Sequence, residues 1–196
     1  DYYFNELFPA VRKRKPRVVG VSMVFGAQSV QGLALAALVK EHFPEIHVTL
    51  GGAYFSQWVM QMEDRLLGDI LSFSDSIVCG EGEGPFSDLL KRLENGESLE
   101  GSPNLIFKDS SGKGFRKFEK MTYTDVAGQP PPNFSDHDMS KYLAPEPVIP
   151  YAISRGCYWG KCVFCQNRYG DHGVRNYQTV PVEKAKNLPP AIINYV

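Results

Sequence analysis

The chain has 196 residues, a formal net charge of −1, 43% hydrophobic residues and 22% charged residues, which is the composition of an ordinary globular protein. The near-neutral charge and the single short basic run at residues 12–17 argue against nucleic-acid binding, and no apolar stretch approaches the ~18 residues of a membrane span. No signal peptide opens the chain, and three of its four cysteines are clustered, so we expect a cytoplasmic protein with metal or redox chemistry.

The first half of the chain alternates between short apolar runs and longer amphipathic stretches. This pattern predicts strands over residues 18–23, 46–50 and 76–79, and helices over residues 2–14, 28–43, 54–67 and 86–93. The first strand is rich in β-branched residues, which is typical of a buried parallel strand. Strands separated by helices predict βαβ units, and therefore an α/β fold with a Rossmann-like parallel sheet covered on both faces.

Small residues follow each of the three predicted strands. These strand ends carry Ser22 and Met23, then Gly51, Gly52 and Ala53, then Gly80, Glu81, Gly82 and Glu83. Ligands of parallel α/β sheets bind at the carboxyl ends of the strands, and glycine lets a large ligand approach the backbone. Tight turns alone would explain one glycine pair, but three successive strand ends favour a ligand-binding edge. We interpret the methionine as a packing residue, and the two glutamates as favourable charge at a helix N-terminus rather than as an acid–base pair.

The second half of the chain begins with a predicted hairpin of residues 104–108 and 115–118. Prolines at residues 130–132, 145 and 147 then predict an extended linker. The sequence therefore predicts a domain over residues 1–120, a linker over residues 121–147, and a second domain over residues 148–196. A short apolar strand over residues 148–153 would lead into the cysteine cluster.

Cys157, Cys162 and Cys165 have the spacing C-x4-C-x2-C, which is typical of a metal or iron–sulfur centre. Three protein thiolates on a four-iron cluster leave one iron open to a substrate or cofactor. Two alternatives stay open. His172 could complete a structural Cys3His zinc site, which would make the chain a non-catalytic binding module, or the thiols could carry no metal. A dinucleotide oxidoreductase is disfavoured because no G-x-G-x-x-G opens a helix after the first strand.

These parts occur in a recognisable order. The GVS, LGG and GEGE strand ends, the hairpin, the proline-rich bridge and the run SRGCYWGKCVFC resemble the cobalamin (B12)-binding radical S-adenosylmethionine (SAM) enzymes, in the subgroup with GCYW and the longer cysteine spacing. The resemblance implies a cobalamin-binding α/β domain, a linker, and the first part of a radical SAM (β/α) barrel. The strand ends named above would cradle cobalamin. No D-x-H-x-x-G motif occurs in the sequence, so no histidine can be proposed as the ligand to cobalt.

The resemblance also implies the ligands of the cluster and the reaction. Cys157, Cys162 and Cys165 would hold a [4Fe-4S] cluster, SAM would chelate the open iron, and Phe164 would lie beside the SAM adenine. Reductive cleavage of SAM, fed by an external electron donor, would then support methyl transfer to an unactivated carbon of a small-molecule or peptide substrate. Residues 166–196 are too few to complete a barrel, so we expect a fragment that does not turn over by itself.

Overall fold

The computed structural model of the chain describes residues 2–109, 111–112, 114–131, 133–134, 138–143, 152–159, 161–164 and 177–186. The chain divides into two units, Asp1–Thr124 and Asp125–Val196. This division lies close to the predicted end of the first domain at residue 120. The bounds of the linker and of the second domain stay predictions.

The first unit is built on one five-stranded sheet. Its strands are β1 (Val18–Ser22), β2 (His47–Gly51), β3 (Ser76–Val78), β4 (Leu105–Lys108) and β5 (Phe115–Arg116), in the spatial order β1-β2-β3-β4-β5. The pairs β1–β2 and β2–β3 are parallel, whereas β3–β4 and β4–β5 are antiparallel. The predicted Rossmann-like α/β fold with a mostly parallel sheet is thus confirmed, and the predicted hairpin forms its last two strands.

Five α-helices accompany the sheet. They are α1 (Phe8–Arg14), which follows a π-helical turn at Tyr3–Leu7, α2 (Ser29–His42), α3 (Ala53–Val59), α4 (Asp64–Ser72) and α5 (Glu83–Asn95). Pro9 explains the change of winding before α1, because it has no N–H to donate to the carbonyl four residues earlier. Gly96 ends α5 in the left-handed conformation with φ +67°.

One face of the sheet carries the main hydrophobic core. Alternate strand residues such as Val21, Val48, Leu50 and Ile77 point to this face, where they pack with side chains of α1 to α4. The cluster includes the fully buried Phe55 of α3. The period of two along each strand fixes which residues reach this core, and places the intervening residues on the opposite face.

The opposite face is covered over only part of its width. Helix α5 packs Leu89 against Val78, Leu105 and Phe107, which belong to β3 and β4. Over β1, in contrast, Gly20 is exposed. The prediction of a sheet covered on both faces is therefore wrong at β1. Gly20 and Ser22, which point to this face, are too small to bury much apolar surface, so they gain little from a covering helix.

The single helix predicted over residues 54–67 is also wrong, because the structure has α3 and α4 there. After Val59 the amides of Gln61 and Met62 bond to carbonyls three residues back, at 3.1 Å, which tightens the last turn. Glu63 then adopts an extended conformation (ψ 148°) before α4 begins. Apolar residues continue through this turn, so the hydrophobic pattern does not reveal the break.

The second unit contains the strands β6 (Ser154–Arg155) and β7 (Gln178–Thr179), which are antiparallel, and the short helix α6 (Val182–Lys186). The strand that leads into the cysteines is thus Ser154–Arg155. Residues 148–151 of the predicted strand lie outside the described residues, and Ala152 and Ile153 are not in a strand. None of the helices within the described ranges is long and apolar enough to cross a membrane.

Candidate functional site

The end of β1 leads into a loop that is fixed by backbone hydrogen bonds. Met23 donates its N–H to the Gly51 carbonyl (2.8 Å), and its carbonyl accepts the N–H of Phe55 (3.2 Å). Its side chain is 0% exposed and packs beneath Gly32 of α2. A ligand cannot reach that side chain. Met23 packs in the core, as we interpreted it from the sequence, and supports the loop from below. Ser22, the residue before it, is exposed.

The end of β2 has a glycine that no other residue can replace without strain. Gly52 has φ +102°, and a Cβ placed on it would lie 2.5 Å from backbone atoms of Met23. A Cβ on Gly51 would meet the Val78 carbonyl oxygen at 3.3 Å. Helix α3 begins directly afterwards with the exposed Ala53. The glycine pair therefore brings the β1 and β2 loops together and leaves Ala53 at the rim.

The end of β3 is a glycine-rich loop with one buried carboxylate. Glu81 is 8% exposed, and its Oε2 accepts the N–H of Thr124 at 2.5 Å. Gly80 has φ +71°, and no described atom lies within 4 Å of a Cβ placed on Gly82. Glu83 is exposed in the first turn of α5, where its charge is favourable as predicted. Glu81, in contrast, lies before the helix and is used in a tertiary contact.

These strand ends and the uncovered part of the sheet form a groove of about 390 Å³. Its lining comprises Gly20, Val21, Ser22, Thr49, Leu50, Gly51, Gly52, Val78, Gly82, Glu83 and Phe86. The floor consists of small residues of β1 and β2, and the half-exposed ring of Phe86 on α5 forms a wall. A Cβ placed on Gly20 would lie 3.8 Å from that ring. The groove is thus open because its floor lacks side chains.

Thr49 of the groove floor belongs to a chain of hydrogen bonds that leads away from the groove. The Ser76 hydroxyl donates to Thr49 Oγ1 (2.9 Å), and the Nε2 atom of His47 makes a 2.8 Å hydrogen bond with Ser76 Oγ. Burial lowers the pKa of His47 below its ordinary value of 6.5; the Asp75 carboxylate acts in the opposite direction, and Lys40 and Lys108 add to the lowering. Because the floor offers few unpaired polar groups, the groove suits a large ligand held mainly by shape and apolar contact.

The sequence predicted five of the eleven residues that line the groove. Of the predicted residues, Ser22, Gly51, Gly52, Gly82 and Glu83 line the groove, whereas Met23 and Glu81 are buried behind it. Sequence reasoning missed Gly20 and Thr49, and also Val21, Leu50, Val78 and Phe86. Gly20 and Thr49 could have been found from the sequence, because small residues alternate along β1 and β2 with the period of two of a strand.

The cysteine segment belongs to the second unit. Gly156 turns the chain after β6 with φ +80°, and Cys157 and Cys162 follow as half-buried residues. Cys165 and His172 lie outside the described residues, and within the described part no three His, Cys, Asp or Glu side chains come together as a metal site. The ligand set of three cysteines, and its zinc alternative with His172, therefore stay predictions.

The apolar side chains between the cysteines are largely uncovered. Phe164 is 87% exposed, and the exposed ring of Trp159 has the Lys161 Nζ 5.1 Å from its centroid. Tyr158 makes an edge-on contact with Tyr177, at 5.9 Å between ring centroids. These exposed rings lie next to Cys157 and Cys162 in the sequence, and the place predicted for Phe164 beside the SAM adenine stays a prediction.

Comparison with known proteins gives relatives that are longer than this chain. No family model matches the chain. A Pyrococcus horikoshii protein described as an uncharacterized methyltransferase is 27% identical over 170 residues, which cover 85% of this chain and 35% of that protein. The 4'-phospho-dehydrooxetanocin synthase of Priestia megaterium is 22% identical over 194 residues, which cover 92% of this chain and 23% of that protein.

Solved structures of OxsB, a cobalamin-dependent SAM radical enzyme, have the same fold. The structure with aqua-cobalamin and SAM bound has a TM-score of 0.71 and 22% identity, and the structure with aqua-cobalamin has a TM-score of 0.67 and 23% identity. Both matches cover 92% of this chain and 24% of OxsB. The chain therefore spans only part of its relatives' length. The predicted resemblance to cobalamin-binding radical SAM proteins is confirmed by these structural neighbours.

Proposed function

We propose that this chain is the cobalamin-binding and cluster-binding part of a B12-dependent radical SAM enzyme. The observation that carries the proposal is the groove at the carboxyl ends of β1 to β3, which is floored by Gly20 and Gly51 and has few unpaired polar groups. The fold supports it, because OxsB has the same fold and its structure holds aqua-cobalamin and SAM.

In the proposed complex the groove holds part of cobalamin by shape. Gly20 and Gly51 let the ligand approach the backbone of the sheet, and Phe86 offers an apolar wall 3.8 Å from the Cβ position of Gly20. Gly52 keeps the two loops at the rim in contact, and Ser22 and Glu83 supply the polar groups of the lining. The site therefore binds by apolar contact and orients by few polar contacts.

The second unit would hold the cluster. Cys157, Cys162 and Cys165 supply three thiolates, which is the donor type that iron–sulfur clusters require. Phe164 is exposed and adjacent to the last of them, where it would pack against the adenine of SAM and exclude water. When bound, the cluster supplies the electron that cleaves SAM, and cobalamin supplies a methyl group. A methyl transfer to an unactivated carbon is the reaction class we propose, in line with the methyltransferase relative.

The partners follow from that reaction class. The substrate would be a small molecule or a peptide, and an external one-electron donor would be needed. A cytoplasmic location and the absence of nucleic-acid binding are expectations from the sequence.

Cobalamin binding tests the proposal at the groove. Gly20→Val would place a branched side chain between the floor and Phe86, so we expect it to weaken aquocobalamin binding at least about tenfold. Valine suits a strand, and the Cβ position itself has only ordinary contacts, so the variant should fold; its thermal midpoint is measured together with its binding. Arg116→Val adds a valine to the edge strand β5, outside the groove, and serves as the matched control.

Equilibrium dialysis with aquocobalamin provides the measurement, and the visible spectrum identifies the bound form. The proposal requires binding to the wild-type chain and to Arg116→Val, and loss of affinity in Gly20→Val. It is contradicted if the folded wild-type chain retains no aquocobalamin, or if Gly20→Val binds it as tightly as the wild type.

A further inference from the structure

The loop after β3 is held by a polar anchor in addition to the packing of the buried Cys79. Residues 79–83, which we call the groove loop, include Gly80 and Gly82, and a Cβ on Gly82 would meet no described atom within 4 Å. Glu81 is the charged residue of this loop that is buried, with an exposed fraction of 8%. Its Oε2 accepts the Thr124 N–H at 2.5 Å. A buried carboxylate needs such donors, so the bond fixes the position of the loop.

The segment that Glu81 contacts is itself held by side-chain hydrogen bonds. Residues 122–124, which we call the strap, belong to no helix or strand. Asn104 is fully buried, and its Oδ1 accepts the N–H (2.7 Å) and the hydroxyl (3.1 Å) of Thr122. Its Nδ2 donates to the Thr122 carbonyl at 2.8 Å. The strap is thus clamped at Thr122 by Asn104 and at Thr124 by Glu81.

The same asparagine also holds the beginning of the groove loop. Its backbone carbonyl accepts the Cys79 N–H at 2.8 Å. Asn104 adopts φ +51°, a left-handed conformation that costs free energy unless the surrounding contacts hold it. The groove loop and the strap are therefore joined from Cys79 through Asn104 to Thr122, and from Glu81 to Thr124.

We propose that Glu81 is a positioning residue that couples the groove to the strap. The next two residues of the groove loop, Gly82 and Glu83, line the groove. Since Glu81 fixes this loop from behind, a ligand that fills the groove stabilises the strap, and an ordered strap keeps the groove in its binding shape. The inference rests on the proposed function only for the identity of the ligand, which is cobalamin.

Two substitutions distinguish the hydrogen bond from the charge. Glu81→Ala removes the acceptor and leaves the Thr124 N–H without its carboxylate, whereas Glu81→Gln keeps an amide oxygen that can accept the same N–H. Glu94→Ala removes an exposed carboxylate of α5 that lies outside the groove, and serves as the control.

Hydrogen–deuterium exchange of the ligand-free chain tests the coupling without cobalamin. We expect Glu81→Ala to accelerate exchange at least about tenfold at the amides of Thr124, Thr122 and Cys79 together, because they open as one unit. Glu81→Gln should restore most of the protection, and Glu94→Ala should match the wild type. Acceleration confined to Thr124 would overturn the coupling, and so would an unchanged rate there.

Addition of aquocobalamin then tests whether a ligand in the groove stabilises the strap. In the wild type, bound aquocobalamin should slow exchange at the Thr124 amide. Glu81→Ala should bind aquocobalamin at least about fivefold more weakly than the wild type, whereas Glu81→Gln should bind it about as tightly as the wild type. Binding that leaves Thr124 unprotected would overturn the inference while leaving the proposed function intact. A wild-type chain that binds no aquocobalamin would instead overturn the proposed function, and the exchange rates of the ligand-free variants would still decide whether loop and strap are coupled.

Discussion

Gly52 shows how a single residue shapes the candidate site. Its backbone lies at φ +102° and ψ 155°, a region that is accessible to glycine and strained for any other residue. A Cβ at this position would also lie 2.5 Å from the backbone of Met23, where no flexible side chain can move away. The close approach of the β1 and β2 loops thus depends on this one glycine.

Gly52→Ala should therefore destabilise the chain strongly. We expect the free energy of unfolding to fall by about 3 kcal/mol or more, from backbone strain and from the clash with Met23. Gly68→Ala in α4 is the matched control, because a Cβ there meets no described atom within 4 Å. That substitution should stabilise by about 0.5–1 kcal/mol through helix propensity. Urea unfolding of both variants checks the pair, and equal effects would contradict the assignment.

His47 gives the stability of the first unit a dependence on pH. Burial is the main cause that lowers its pKa below 6.5, so the unfolded chain takes up a proton more readily than the folded chain does. Stability from this residue is complete above pH 6.5 and is lost as the pH falls. We expect the free energy of unfolding to decrease between about pH 7 and about pH 5, and this slope to shrink in His47→Gln. A slope that persists in full in His47→Gln would assign the effect to other groups.

Some residues of the site could be predicted from the sequence, and others could not. The glycines at the ends of β2 and β3 were predictable, because a glycine that follows a parallel strand lets a ligand approach the backbone. Phe86 was not, since an apolar residue in a helix usually packs in the core, and nothing local shows that it borders an uncovered strip of sheet. The burial of Glu81 was hidden for a similar reason, because its partner Thr124 lies far along the chain.

At the scale of elements, Asp75 joins the strands at the end of the sheet opposite the groove. Its Oδ2 accepts the Val48 N–H (2.7 Å) and lies 3.0 Å from Lys40 Nζ, and its side chain is 22% exposed. Its backbone N–H bonds to the Val48 carbonyl at 2.8 Å. Asp75 thus ties β2, α2 and the start of β3 together.

Asp75→Ala should cost about 2–3 kcal/mol of unfolding free energy, because it leaves a backbone donor and the Lys40 ammonium without their carboxylate. Lys117→Ala is a suitable comparison, since the Lys117–Asp64 pair is more exposed and such pairs contribute less than about 1 kcal/mol. Thermal unfolding of the two variants measures the difference. An Asp75→Ala variant no less stable than Lys117→Ala would contradict the role given to Asp75.

The order of strands and helices in the first unit was predictable, because apolar periodicity and glycine punctuation are local signals. The pairing of β4 with β3, the break between α3 and α4, and the uncovered strip over β1 were not. Each depends on which elements meet in three dimensions. Of these three features, the uncovered strip over β1 is the one that bears on function. A parallel sheet is normally covered on both faces, so the open part marks the proposed ligand site.

For the whole molecule, two kinds of evidence point to the same chemistry. The groove and the glycine-rich strand ends belong to the first unit, and the cysteine segment belongs to the second. The fold likeness to OxsB extends over 92% of the chain, so it includes both. The account therefore predicts that one chain binds both cobalamin and an iron–sulfur cluster, with a structural zinc site as the alternative for the cysteines.

Anaerobic metal analysis with a visible spectrum tests that prediction most directly. The chain would be reconstituted with iron, sulfide and aquocobalamin, desalted, and compared with Cys162→Ala. We expect about four irons and four sulfides per wild-type chain together with bound cobalamin, and loss of the iron but not of the cobalamin in the variant. One zinc without iron, and cobalamin removed by desalting, would contradict the account and leave an α/β binding module with a structural metal.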